Sequence, residues 1–261
     1  MALRSSNGLK FFQFDSMLDQ PILHAIFTRE GGVSPAPWSS LNVGGTVGDD
    51  DSRVRTNRQR AFRALDRDPA SVYDVWQIHS AEYVIAEQPR DDHPHVKADI
   101  LLTANPAVTL FMRFADCVPI LLYDTRKHVI ALAHAGWLGS VRGAALSAVA
   151  ALERHFGSSA ADIHAGLGPS IGPDHYEVGE DVRERYAESF PEGLSEQFVE
   201  RGGRVYMDLW RANEAQLRST GIEHIEQAGI CTACDLTRWF SHRAEGGKTG
   251  RFGAMLALNA L

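Results

Sequence analysis

The chain has 261 residues with 33 acidic and 26 basic side chains, which gives a formal net charge of −7. This acidic balance argues against broad binding of nucleic acid or anionic membranes, because both need a basic protein surface. The sequence contains no apolar run long enough for a signal peptide or a transmembrane span. Three cysteines are too few for a disulfide framework, so we expect a cytoplasmic protein. From the charge and the absence of long apolar runs we expect no nucleic-acid or membrane partner.

The order of apolar and turn-forming residues predicts a mixture of strands and helices. A loop rich in Gly, Ser and Pro occupies 29–51, and its acidic end at 49–51 can cap a following helix. Apolar runs predict strands at 75–79, 100–103, 108–114, 119–124, 128–136, 163–168, 224–230 and 251–258. Helical spacing predicts helices over 139–156, 179–190 and 209–219. Because there is no strict βαβ alternation, the pattern favours an α+β fold with mixed sheets.

Three potential metal ligands lie where predicted strands meet loops. They are His79 in WQIHS, Cys117 in RFADCVPILL and His134 in ALAHAGW. Two imidazoles and one thiolate form a catalytic zinc set, in which the fourth position is left for water or substrate. Their separations match no compact zinc-finger pattern, so spacing alone leaves two alternatives open. The three could be unrelated core residues, or Cys117 could be a nucleophile with a histidine as its base.

Charged neighbours strengthen the interpretation as a metal site. Asp116 precedes the cysteine and Asp99 lies in KADILLT, and carboxylates of this kind orient ligating imidazoles, act as bases or cap turns. Arg29 stands beside two glycines in FTREGGVS, where a guanidinium and exposed backbone N–H groups suit a phosphate. Taken alone, Arg29 could equally be a surface arginine in a turn.

At the level of longer blocks, the chain resembles the laccase-domain (YfiH-type) proteins. These were first labelled polyphenol oxidases and later recognised as zinc-dependent purine nucleoside phosphorylases. The matching blocks are FTREGGVSPAPWSSLNVG, GDD, WQIHSAEYV, KADILLT, RFADCVPILLYD, ALAHAGWLGSVRG, GLGPSIGPDHYEVG, CTACD, FSHR and GKTGRFGAMLAL. They cover nearly the whole chain from about residue 22, so we expect a single catalytic domain over 1–261, with mixed sheets packed together and flanked by helices in an α-β-β-α arrangement.

The resemblance implies that His79, Cys117 and His134 bind a catalytic zinc, with copper as the other candidate metal. It also implies that Asp99 and Asp116 belong to the same catalytic pocket. The implied activity is phosphorolysis of adenosine, inosine and S-methyl-5'-thioadenosine, together with deamination of adenosine. Purine nucleosides and phosphate are then the small-molecule partners, and the protein is a monomer or a small homo-oligomer.

Substrate binding is assigned through the same resemblance to Arg29, Asn42 and Arg251. One departure bears on this assignment, because the family often reads HAGWRG and this chain has Leu138 in place of the arginine. One candidate anion-binding group is therefore missing, and Arg142, Arg29 and Arg251 remain as substitutes.

A second departure concerns the cysteines. The family block GPSIGP often continues with cysteine, whereas this chain has Asp174 and His175 at that point, which argues against an extra cysteine ligand. Cys231 and Cys234 form a lone CxxC, and a zinc ribbon needs a second pair that the sequence lacks. We therefore interpret this pair as two partly buried thiols in a loop.

A copper-dependent polyphenol oxidase is the alternative function. A multicopper oxidase needs several H-x-H pairs, and the chain has one, formed by His93 and His95. A single blue copper site would want an axial ligand such as methionine, and Met112 is the nearest one along the chain. The sequence therefore favours the zinc enzyme.

Overall fold

Two six-stranded sheets form the centre of the fold in the computed structural model, which describes residues 3–190 and 196–259. The first sheet has the order β1 (Leu3–Ser6), β2 (Leu9–Phe12), β3 (Ile22–Phe27), β15 (Phe252–Leu258), β7 (Thr109–Phe114) and β4 (Val72–Tyr73). The second has the order β14 (His224–Gln227), β10 (Ile163–Leu167), β8 (Val118–Asp124), β9 (Val129–Ala135), β6 (Ile100–Thr103) and β5 (Tyr83–Ile85). A small third sheet contains β11 (Glu177–Val178), β13 (Arg204–Met207) and β12 (Phe198–Arg201).

Both large sheets are mixed, as the sequence predicted. β4 runs parallel to β7, β5 to β6 and β10 to β14, whereas the remaining pairs are antiparallel. The described residues also contain α1 (Asp51–Ala64), α2 (Trp137–Val141), α3 (Ala144–Phe156), α4 (Glu180–Ser189) and α5 (Leu209–Ser219). Each of these helices is too short or too polar to cross a bilayer.

The alternation of side chains along the central strands builds the layers. In β7, Leu110 and Met112 enter the core between the two sheets, whereas Phe111 points outward and contacts Phe62 of α1 at 5.6 Å between ring centroids. In β8, Leu121 faces the same inter-sheet core, and its neighbours face a second apolar core formed with α3 and α5. The predicted α-β-β-α arrangement and the α+β class are confirmed.

The strand predicted at 75–79 does not form, and this difference changes the backbone around His79. It forms only an isolated bridge between Trp76 and Lys97, and His79 then adopts a left-handed backbone with φ of 58°. The strand cannot extend because the buried Asp99 carboxylate takes the N–H groups of Ile78 and Ser80. The interpretation that His79 ends a strand is therefore replaced by a tight bend.

Two further boundaries differ from the prediction. The helix expected over 139–156 is two helices, α2 and α3, because Gly143 between them has φ of 74°. The strand expected over 224–230 ends at Gln227. The helix after the acidic triplet does form, and Asp50 caps it by accepting hydrogen bonds from the N–H groups of Ser52 and Arg53.

Candidate metal centre

Three distant parts of the chain bring His79, Cys117 and His134 together. The ligand atoms of the three side chains all lie within 4.8 Å of one another, and the two imidazole centroids are 5.0 Å apart. His134 belongs to β9, and Cys117 immediately precedes the neighbouring strand β8, so the sheet itself sets their spacing. The bend at His79 supplies the third ligand from the loop before β5.

Asp99 fixes the orientation of His134. Its Oδ1 lies 2.8 Å from Nδ1 of His134, which leaves Nε2 of that ring to face the cluster. Its Oδ2 accepts hydrogen bonds from the N–H of Ile78 and from the N–H and hydroxyl of Ser80. Burial raises the pKa of the Asp99 carboxyl, but these bonds outweigh burial and hold the pKa at about 2. The carboxylate is thus a charged anchor that joins two of the ligand segments.

The surroundings of Cys117 favour the thiolate form of its side chain. Burial raises the pKa of this thiol, but the imidazoles of His134 and His79 outweigh burial and lower the pKa to about 6. Burial lowers the pKa of His134, yet the Cys117 charge and the Asp99 hydrogen bond raise it to about 9. Zinc binds thiolate sulfur and neutral imidazole nitrogen, and His134 is buried, Cys117 partly buried and His79 exposed, so this donor set fits a zinc site that is open on one side.

Close packing leaves little room behind the sulfur. A Cβ added to Gly136 would lie 2.6 Å from Sγ of Cys117, well inside contact distance. Gly136 follows the end of β9 and precedes α2, so the absence of a side chain lets this turn approach the ligand. A glycine is therefore required at this point of the HAGW block, because any side chain would collide with the Cys117 sulfur.

Asp116 stands beside the cluster in a strained backbone conformation, with φ of 83°. Its Oδ1 accepts the hydroxyl of Thr232 at 2.7 Å, and its Oδ2 accepts the backbone N–H of Arg243 at 2.7 Å. Its carbonyl accepts the N–H of Ile171 at 2.9 Å. Asp116, which directly precedes Cys117, is thereby bonded to the loop after β10 and to the segment after β14.

His242 is a site residue that sequence reasoning did not assign. Burial lowers the pKa of His242, the charges of Arg251, Arg243 and His79 lower it further, and the Asp116 charge raises it. His242 therefore shares the electrostatic environment of the metal centre. The FSHR block contained the signal, since it places a histidine beside an arginine in one of the blocks that match the resembled family.

Arg251 lies near the cluster and Asn42 lies behind it. Burial lowers the pKa of Arg251, while the charges of Cys117 and Asp116 raise it, so this guanidinium acts on the site. The Oδ1 of Asn42 accepts the backbone N–H of Arg251 at 2.9 Å, and the Asn42 side chain is completely buried. The Asn42 side chain thus fixes the backbone of Arg251, and the assignment of both residues to substrate binding stays a prediction.

Arg29 is held by other parts of the chain. Its guanidinium donates to the carbonyls of Ser39 and Leu236, pairs with Glu245 at 3.0 Å, and lies 4.3 Å from the ring centroid of Phe240. These contacts favour a role in fixing the loop 29–51 against the loop after β14. Direct binding of phosphate by Arg29 stays a prediction.

A cavity of 440 Å³ lies next to residues that flank the cluster, although none of the three clustered side chains lines it. Its lining residues are Trp137, Tyr176, Glu177, Val178, Gly179, Val182 and Arg243. Trp137 directly follows Gly136, which packs on the Cys117 sulfur. Burial and the Cys117 charge both raise the pKa of Tyr176, so this phenol lies within electrostatic range of the sulfur. The Arg243 guanidinium lies 4.9 Å from the Tyr176 ring centroid. The cavity thus combines aromatic walls with a cation.

Comparison with known proteins gives consistent matches over nearly the whole chain. A family model described as "Multi-copper polyphenol oxidoreductase laccase" matches residues 23–259. A protein of Deinococcus radiodurans named purine nucleoside phosphorylase is 37% identical over 236 residues, covering 90% of this chain and 88% of that protein. A protein of the same name from Bacteroides thetaiotaomicron is 33% identical over 241 residues, covering 88% of this chain and 89% of that protein.

Solved structures agree with these matches. The crystal structure of Bacillus licheniformis YfiH superposes with a TM-score of 0.91 at 30% identity, covering 98% of this chain and 99% of that chain. The structure of YlmD from Geobacillus stearothermophilus superposes with a TM-score of 0.92 at 30% identity, covering 98% of each chain. Since sequence and fold agree from end to end, the chain belongs to the laccase-domain family of YfiH-type proteins.

Proposed function

We propose that this protein is a zinc-dependent purine nucleoside phosphorylase that acts on adenosine, inosine and S-methyl-5'-thioadenosine and also deaminates adenosine. The observation that carries the proposal is the convergence of His79, Cys117 and His134 beside a cavity with aromatic walls and a cation. Relatives that share about a third of their residues with this chain are named purine nucleoside phosphorylase, which supports the same activity.

Phosphorolysis requires that phosphate be held beside the anomeric carbon of the nucleoside. A phosphate oxygen forms a bond to that carbon, the carbon–nitrogen bond to the purine breaks, and the purine takes the electron pair and one proton. We assign phosphate to two cations, Arg251 and Arg243. Arg251 interacts electrostatically with Cys117 and Asp116, and Arg243 lines the cavity described above.

The purine ring is assigned to the aromatic part of the cavity. Trp137 and Tyr176 line it, and an aromatic wall suits a planar base. Two other aromatic residues that precede site motifs are less suited. Phe114 is fully buried against the ring of His134, and Trp76 is half exposed and bridged to Lys97.

Zinc bound by the three ligands would supply Lewis-acid polarisation of a substrate atom or of water. The two neighbouring aspartates then have different roles. Asp99 is completely buried, and both of its oxygens form hydrogen bonds, with His134, Ser80 and Ile78. It therefore positions a ligand and does not reach substrate. Asp116 makes a single contact at each oxygen, so in deamination it is our candidate to accept the proton of the attacking water.

A copper-dependent oxidase of phenols is the second candidate, and the family description favours it. The donor set of two imidazoles and a thiolate is also that of a blue copper site, which commonly adds an axial methionine. Met112 lies in the core between the two sheets, packed among apolar residues of β7 and β8. The single H-x-H pair of the sequence does not supply a multicopper cluster. These observations favour the phosphorylase.

The decisive experiment compares purified protein with and without phosphate on adenosine, inosine and S-methyl-5'-thioadenosine. We expect the free purine to appear only with phosphate, in equal amounts with the sugar 1-phosphate. Inosine formed from adenosine without phosphate would report the deaminase. Oxidation of phenols after copper loading, with no release of purine under any condition, would reject the proposal in favour of the oxidase.

A further inference from the structure

A second cluster of metal-ligating side chains lies in the loops that follow β10 and β14. His175, Cys231 and Cys234 place one ligand atom each within 4.8 Å of the other two. Nδ1 of His175 is 3.6 Å from the sulfur of Cys231 and 3.6 Å from the sulfur of Cys234. The histidine that follows the GPSIGP block thus approaches the CxxC pair that appeared isolated in the sequence.

The distances suit a shared ion better than hydrogen bonds alone. A tetrahedral zinc with sulfur at about 2.3 Å and nitrogen at about 2.0 Å separates those two ligand atoms by about 3.5 Å. One imidazole nitrogen carries at most one hydrogen, so Nδ1 of His175 cannot donate well to two sulfurs at once. The two-residue spacing of Cys231 and Cys234 is also the spacing with which paired cysteines bind one zinc.

The backbone around the cluster fixes the position of the Cys231 sulfur. The N–H of Gly172 donates to Sγ of Cys231 at 3.2 Å. Thr232, next to Cys231, donates its N–H to the carbonyl of Ser170 at 3.0 Å, which completes the bridge between the two loops. The cysteine loop and the loop that carries His175 are therefore fixed relative to each other.

We propose that His175, Cys231 and Cys234 bind a second zinc ion where the loop after β10 meets the loop after β14. The fourth position falls to water, because His175 and Cys234 are exposed and the nearby Asp174 is engaged in an ion pair with Arg201. This site is separate from the proposed reaction and does not rest on it. Its role follows from Thr232, whose hydroxyl holds Asp116 at 2.7 Å beside the catalytic cluster.

Zinc content separates the two sites. With reductant present and zinc as the only added metal, we expect wild-type protein to hold two equivalents, and Cys234→Ser and His175→Ala to hold one each. His79→Ala should also hold one, by losing the other ion. His93→Ala removes an exposed histidine elsewhere and is the matched control, with two equivalents expected.

Cobalt substitution provides a second, spectroscopic measurement, because bound cobalt reports thiolate ligands through its absorption. Cys117→Ser retains only the second site, so its cobalt form should show thiolate-to-metal absorption that disappears in Cys117→Ser/Cys234→Ser. Circular dichroism identifies any variant that fails to fold. A single zinc equivalent in wild type that His79→Ala abolishes, or a Cys117→Ser protein without thiolate absorption, would overturn the second site while leaving the proposed enzyme intact.

Discussion

His134 and Asp99 lie 2.8 Å apart, between Nδ1 of the imidazole and Oδ1 of a carboxylate that water does not reach. This contact selects which nitrogen of His134 faces the metal centre. The same carboxylate also holds the backbone on both sides of His79 through Ile78 and Ser80. One buried charge therefore orients one ligand directly and a second through the bend that carries it.

Asp99→Asn should weaken zinc binding about 10- to 100-fold, as is typical when the carboxylate partner of a ligating histidine is lost. The amide keeps the size of the side chain but removes the charge that orients His134. Competition with a zinc chelator measures the affinity. Asp124→Asn is a matched control, because Asp124 is equally buried yet caps the β8–β9 hairpin at Arg126 and Lys127. Equal zinc affinity in Asp99→Asn and wild type would contradict this role.

The protonation of Cys117 gives a pH dependence with a defined direction. Its pKa is lowered from 9.0 to about 6 in the folded, metal-free protein. A lowered folded-state pKa means that ionisation stabilises the fold. That contribution is complete above pH 9 and is lost as the pH falls through about 6. Alkylation of Cys117, followed by mass spectrometry in a Cys231→Ser/Cys234→Ser background, should therefore show a midpoint near pH 6.

The control for this titration removes the partner imidazole. In His134→Gln the midpoint should move upward toward the ordinary range of a thiol, because the largest source of the lowered pKa is absent. A midpoint near 9 in the parent protein would show that the two histidines do not act on the sulfur.

Much of this arrangement could be predicted from the sequence because it depends on local pattern. Strands β6 to β9 are nearly continuous apolar runs, and the turn between β8 and β9 contains Arg126 and Lys127. His134 and Cys117 follow directly from those strands, since each lies in or next to one. The ligand set itself came from block resemblance, because spacing left the three residues open to other interpretations.

The remaining features depend on long-range contacts that no local pattern encodes. The strand expected at 75–79 fails because a carboxylate from Asp99, distant in sequence, takes the backbone N–H groups near His79. His175 meets the CxxC pair only because the loops after β10 and β14 bridge at Ser170 and Cys231. The N-terminal strands β1 to β3 have short, irregular apolar patterns and became evident only from their pairing.

Arg251→Ala should raise the KM for phosphate about 10- to 100-fold, which corresponds to losing a hydrogen bond with a charged group of about 1.5–3 kcal/mol. The KM for the nucleoside should change little, because the purine is assigned to Trp137 and Tyr176 and not to Arg251. Initial rates at varied phosphate measure the effect.

Arg29→Lys tests the sequence-based prediction that Arg29, like Arg251, binds phosphate. The contacts of Arg29 with Ser39, Leu236 and Glu245 are internal, so we expect a lower melting temperature with an unchanged KM for phosphate. A phosphate KM that rises for Arg29→Lys and stays constant for Arg251→Ala would reverse the two assignments.

Gly136→Ala tests the geometry of the cluster without altering a ligand. The added Cβ would meet the Cys117 sulfur at 2.6 Å, so the sulfur must move away from the histidines. We expect weaker zinc binding and lower turnover from this single methyl group. Gly45→Ala is the control, since a Cβ at Gly45 meets no atom within 4 Å. Unchanged zinc affinity in Gly136→Ala would mean that the sulfur is not a ligand in this position.

The central claim is that His79, Cys117 and His134 hold one zinc ion between them. The zinc K-edge X-ray absorption spectrum of Cys234→Ser, which retains only this site, measures the ligand shell directly. We expect one sulfur at about 2.3 Å and two imidazole nitrogens at about 2.0–2.1 Å, with the sulfur lost on adding Cys117→Ser. A shell of oxygen and nitrogen alone, or a sulfur that persists without Cys117, would contradict the account.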